Sequence, residues 1–153
     1  MTVKEGAGAV AKTRVSWQNG TVAGLVGAAA MGAAILAMNP GVIEVAIPAL
    51  YGLAPPTNGA AGLVVHLSHG AVMGVAFAGA VDALGLDDAT TVVGGGLVYG
   101  AVTWVVLAAL LMPLWLSMVG FAGAPPFPNF AVPSLLWHLV YGGVLGAAAV
   151  TLE

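Results

Sequence analysis

The sequence predicts an all-α protein, a bundle of four transmembrane helices built from two parallel, duplicated helical hairpins related by a pseudo-twofold axis along the membrane normal. Three observations carry that expectation. Of 153 residues, 60% are apolar and 6% are charged, whereas a soluble domain carries about 25% charged residues. Three Lys or Arg and six Asp or Glu are too few to cover a water-facing surface. Four apolar runs reach membrane-spanning length, and a pattern of His, Leu and Gly in the second run recurs in the fourth.

Residues 1–20 are mixed, Gly-rich and basic, and read as a cytoplasmic tail ending at an interfacial anchor, Trp17. The first run, Thr21 to Met38, is closed by Asn39-Pro40. Its length suffices to cross about 30 Å of hydrocarbon at about 1.5 Å per residue. It is read as a span rather than a cleaved signal peptide, because the repeat needs it as half of its first unit. The other runs extend from about Gly59 to Val81, Ala89 to Trp115 (with Pro113 near its end) and Pro133 to Leu152. The first hairpin is therefore 21–82, a tight cytoplasmic turn 83–90, and the second hairpin 91–153.

In the turn, Asp87 or Asp88 is expected to cap the third helix, where negative charge suits the helix dipole. The connections 39–58 and 113–132, rich in Pro and aromatics, are expected to be outer loops. Within the first, VIEVAIPALYG reads as a short interfacial helix, with Glu44 a solvated carboxylate. Lys4, Lys12 and Arg14 are the only basic residues and all precede the first run. The positive-inside rule then places both termini in the cytoplasm of a multi-pass protein of the cell membrane. Tyr51, Trp115, Phe121, Phe127, Phe130 and Trp137 form the expected outer aromatic belt.

Several functions are excluded or left without residues. With no cysteine there is no disulfide, thiolate metal site or cysteine nucleophile. No basic surface is available to a nucleic acid, and GxxxxGK[ST], GxSxG and HExxH are all absent. The expectation is a non-enzyme whose partners are the bilayer and, as candidates, further copies or other membrane subunits.

The repeat is carried by LVVHLSHGAVMG (63–74) and LLWHLVYGGVLG (135–146). Leu63/Leu135, His66/His138, Leu67/Leu139, Gly70/Gly142, Val72/Val144 and Gly74/Gly146 coincide. Upstream, Gly27 followed by Pro40 matches Gly100 followed by Pro113, and both outer connections contain APP and then Asn, at Asn58 and Asn129. Two crossings per unit insert both units in the same orientation. Small residues recur at four-residue spacing: Gly24, Ala28 and Gly32; Gly70, Gly74 and Ala78; Gly96 and Gly100; Gly142 and Gly146. In lipid such stripes let helix backbones approach closely and so mark the bundle interior. HLxxGxxxG in duplicate, the terminal WHLVYGGVLG and the Pro-rich outer segments together resemble a family of small four-helix integral membrane proteins of unknown function common in haloarchaea. The resemblance spans residues 20–152 and implies the four-helix fold without implying an activity or a catalytic residue.

His66 and His138, one turn before a glycine, are expected on the packing face, with His69 and Tyr141 three positions on. An ionisable group in a membrane helix is costly and needs a partner. The simplest reading is a neutral imidazole donating to a carbonyl or hydroxyl on a facing helix and tying the two units together, with Thr103, Tyr99 and the loop ends as candidate partners. Three alternatives stand beside it. His66 and His138 are candidate axial ligands of one haem b, with Gly70 and Gly142 making room for the ring. His66, His69 and His138, with Glu44, are a candidate metal site. The same histidines with Tyr141 are a candidate proton relay or pH sensor. In function these correspond to a structural, accessory or sensory membrane component, a small-solute or proton transport element, or a haem- or metal-binding protein.

Overall fold

The computed structural model describes residues 14–152. It is 77% helix, with no strand among the described residues, and four of its helices are long and apolar enough to cross a membrane. Helix α1 (Trp17–Met38) begins four residues before Thr21, because the Ser16 side chain accepts the Asn19 N–H at 3.1 Å and so satisfies one of the first-turn donors. The expected tail is shortened accordingly, and residues 1–13 lie outside the described ones. α1 closes where the Asn39 N–H bonds the Ile35 carbonyl and Pro40 has no N–H to continue the ladder.

The connection 39–58 is largely helical. A π-helical turn, Val42–Ala46, runs into a short α-helical turn, Ile47–Ala49; together they form α2 (42–49). Helix α3 (Gly59–Leu84) starts at Asn58, whose side chain accepts the Ala61 N–H, and ends at Gly85. There a φ of +64° and a Leu86 N–H to Val81 carbonyl bond form a left-handed cap that glycine adopts without strain.

Helix α4 (Ala89–Met118) is the longest span. It does not stop near Trp115, and 113–118 is helix rather than loop. Its middle, Trp104–Leu111, is π-helical and returns to α-geometry at Met112–Met118, so the wider turns accommodate the Pro113 ring. Helix α5 (Val132–Thr151) begins with Pro133 in its first turn, where a missing N–H costs nothing.

Both prolines act alike. A proline leaves the carbonyl four residues earlier without its usual helical donor. For Pro48 that carbonyl is Glu44, which accepts the Asn58 N–H at 2.7 Å; for Pro113 it is Ala109, which accepts the Asn129 N–H at 2.8 Å. Each of these two long connections is thus pinned to the helical segment it left, just before the next long helix begins. Pro113 shares this arrangement with Pro48, whereas spacing in the sequence pairs it with Pro40.

Glycines set the packing. α1 crosses α3, and a Cβ built on Gly20 would lie 2.6 Å from the Gly74 carbonyl oxygen, one on Gly24 2.9 Å from the Gly74 Cα. α4 crosses α5 in the same manner, with Cβ positions on Gly142 and Gly146 falling 3.0 Å from the Gly100 Cα and 2.9 Å from the Val93 Cα. α1 also packs along α5, whereas α3 and α4 scarcely touch, so the helices run in the order α3, α1, α5, α4. The space between α3 and α4 is filled by Phe77, 1% exposed, against Tyr99 with ring centroids 5.4 Å apart.

The turn between α3 and α4 carries a pH-dependent cap. Asp88 accepts the Thr91 hydroxyl and the Thr91 and Thr90 N–H groups, and these bonds, the Thr91 hydroxyl foremost, hold its carboxyl below the usual carboxylate range. A carboxyl depressed in the folded state stabilises above its unfolded value, about pH 4, and loses that contribution as pH falls through the folded value. Asp88→Ala is therefore expected to destabilise in unfolding titrations at about pH 7, with the difference from the unmodified protein shrinking toward about pH 3.

Candidate functional site

The polar side chains inside the spans are few, and the structure gives most of them backbone partners. His66, 7% exposed, sets its Nε2 2.9 Å from the Ala28 carbonyl oxygen of α1. That carbonyl is reachable because Gly32, one turn on, has no side chain to cover it: a Cβ there would sit 3.2 Å from the His66 Cδ2. The contact is a cross-helix hydrogen bond between α3 and α1, made within the first hairpin and not to Thr103 or Tyr99.

His138 behaves differently although it follows the same motif. Its Nδ1 lies 2.7 Å from the Ser134 carbonyl oxygen one turn earlier in α5, and the ring is only partly buried. Its own carbonyl lies against Gly100, at the close crossing with α4. His69 is exposed, its Nε2 2.7 Å from the hydroxyl of Tyr51, which α2 brings beside it. His69 lies ten residues beyond Gly59, about 15 Å into α3.

Tyr141 donates to the Gly70 carbonyl at 2.9 Å, fastening α5 to α3, while its ring covers Gly27 of α1. Tyr99 donates to the Met73 carbonyl at 2.9 Å, fastening α4 to α3, and Thr103 bonds the Tyr99 and Gly100 carbonyls of its own helix. The Trp104 indole N–H is buried beside Phe130 with no partner among the described residues. A carbonyl or hydroxyl of a facing helix was the expected acceptor for His66, but which carbonyl was not legible in the sequence, and the carbonyls that accept from Tyr99 and Tyr141 were missed, since any helical residue has one. The available signal was a small residue one turn later, as with Gly32 after Ala28 and Gly74 after Gly70.

The candidate groupings fare unequally. Among the described residues no three His, Cys, Asp or Glu come together as a metal-binding group; His66, His69 and His138 each face a different partner, and Glu44 lies beside Gly59. The room reserved for a haem ring beside Gly70 and Gly142 is filled by helix: the Ala28 methyl meets Gly70, and the Gly96 carbonyl and Gly100 Cα meet Gly142. Among the described residues no direct side-chain hydrogen bond joins one histidine to another or to Tyr141. Asp88 caps α4. Of the expected aromatic belt, Tyr51, Trp115, Phe127 and Phe130 are exposed, but Trp137 is 6% exposed, packed with Ile35, Ile43 and Ile47.

No protein-family model, curated protein or solved structure matches the chain.

Proposed function

We propose that the chain is a non-enzymatic integral membrane protein acting as a structural or accessory component of the cell membrane, and that its intramembrane polar groups serve assembly. The single observation that carries this reading is how those groups are spent. His66, Tyr99 and Tyr141 each bond a backbone carbonyl of another helix, and such bonds hold helices together in lipid. A conduction path would instead need polar groups linked to one another across the spans.

Two further parts of the reading are ours. The chain derives from a duplicated hairpin, supported by the paired glycine crossings and by the common Pro48/Asn58 and Pro113/Asn129 device. Against strict symmetry, α1 packs on α5 whereas the equivalent pair, α3 and α4, is spaced by aromatic rings. Both termini face the cytoplasm, supported by the basic residues ahead of α1 and by the Asn19 amide donating to the Leu152 carbonyl at 2.6 Å, which puts the two chain ends on one side. Further subunits would meet the bundle at α4, where Val98, Val102 and Val106 are at least half exposed.

Vesicles loaded with a pH dye test the role. Reconstituted protein is expected to leave proton flux at the level of empty vesicles, with His66→Ala making no difference. Flux above that level that His66→Ala abolishes would replace the structural role with a transport role.

A further inference from the structure

On the flank of the bundle, α1 and α3 border a groove of about 230 Å³. Ala29, Gly32 and Ala33 form a floor with no side chain larger than a methyl, and Leu36, Leu63 and Leu67 stand around it. His66 also lines it. The residue as a whole is 7% exposed, and its Nε2 is committed to the Ala28 carbonyl. A carbonyl accepts only, so Nε2 carries the proton and the neutral ring presents Nδ1 as an acceptor. Among the described residues none donates a hydrogen bond to that nitrogen.

His66 lies seven residues beyond Gly59, about 10 Å below the outer end of α3. At that depth acyl chains offer no donor, and an acceptor left without one is costly. The groove holds no charged side chain, which rules out an ionic occupant, and its alanine and leucine lining offers nothing to a many-hydroxyl headgroup. A flat apolar ring bearing a hydroxyl satisfies both the floor and the nitrogen.

We infer that this groove binds a neutral, lipid-soluble phenol or quinol through a hydrogen bond from its hydroxyl to His66. The inference rests on the membrane-spanning reading and adds a ligand to it. The bond to Ala28 fixes the imidazole so that its free nitrogen stays an acceptor.

The test uses the full-length protein in phosphatidylcholine nanodiscs, the imidazole 15N signals of its three histidines, and decylhydroquinone as the probe. Retention of protein in the nanodisc fraction checks the membrane reading separately. Decylhydroquinone is expected to shift the His66 signal saturably, while its dimethyl ether, with no donor, binds about tenfold more weakly. Ala33→Leu fills the groove without touching the His66 to Ala28 bond and is expected to weaken binding by a similar factor. Assignment comes from His66→Gln. A non-saturating response, an ether that binds as well as the quinol, or full affinity in Ala33→Leu would overturn the site. So would cross-linking between copies through Ala33→Cys, because the groove would then be a helix interface.

Discussion

Gly74→Ile is expected to cost about 3 kcal/mol or more of stability and to separate α1 from α3. A side chain at Gly74 has nowhere to go: its Cβ would lie 2.8 Å from the Gly24 Cα and press on the Gly20 carbonyl. Both neighbours are helix backbone, which cannot rotate aside as a flexible side chain can. Overpacking of a rigid contact costs about 1–3 kcal/mol, occasionally more, and a β-branched residue has little rotamer freedom with which to escape. The close approach is also what holds these helices together, since lipid gives them no hydrophobic reason to associate. Gly79, on the same helix, is the control, because a Cβ there meets nothing within 4 Å. Gly79→Ile is expected to stay within about 0.5 kcal/mol. Unfolding of the two variants in a denaturing-detergent titration checks the contrast, and equal losses would mean that the glycine crossing does not hold the hairpin.

Phe77→Ala is expected to have the second large effect, about 2 kcal/mol. Where glycines bring the other helix pairs into backbone contact, α3 and α4 are separated and joined by side chains: the Phe77 and Tyr99 rings, and the Tyr99 hydroxyl on the Met73 carbonyl. Removing the Phe77 ring leaves a void that rigid neighbours cannot close. The loss falls below that for a phenylalanine in a water-soluble core because the unfolded reference is already in an apolar solvent. Tyr99→Phe keeps the ring and loses one cross-helix bond, for about 0.6 kcal/mol. Leu97→Ala, at a 43% exposed position, is expected to change little. A Phe77→Ala effect no larger than that of Leu97→Ala would show that the α3/α4 side contributes nothing to assembly.

The four long helices were legible because apolar runs of this length, with so few charges, have few alternatives to membrane helices. Their ends were less so. Gly59 was the expected start of α3 and is its start; Ser16 at the head of α1 is an ordinary N-cap residue, yet hydropathy counts only the apolar run, so the turn from Trp17 to Gly20 read as tail. Pro113 read as the end of a helix, and it would be one in α-geometry. The π-helical turns before it, with the Asn129 N–H taking up the Ala109 carbonyl, let α4 continue, and that rescue comes from a residue 20 positions away in sequence.

At the candidate site, the burial of His66 followed from its place one turn before Gly70. That it would bond a carbonyl or hydroxyl of a facing helix was legible; which carbonyl was not, because the acceptor, Ala28, is uncovered by the absence of a side chain at Gly32 and belongs to the same hairpin. The identical motif around His138 suggested an identical role, but equivalence in sequence leaves the rotamer open, and this ring turns back to Ser134. Trp137 was taken for interfacial because tryptophan prefers that zone. The helical part of the connection 39–58 instead covers it, through Ile43 and Ile47.

The claim on which all of this depends is that the four long helices cross a membrane with the chain ends on the inner face. The absence of cysteine makes single-cysteine labelling clean, so one measurement addresses it directly: reaction of a membrane-impermeant maleimide with intact and with lysed cells. Thr57→Cys and Phe127→Cys are expected to label on intact cells, and Arg14→Cys and Asp82→Cys only after lysis. Labelling of Arg14→Cys and Thr57→Cys from the same side would contradict the account, because α1 would then fail to cross.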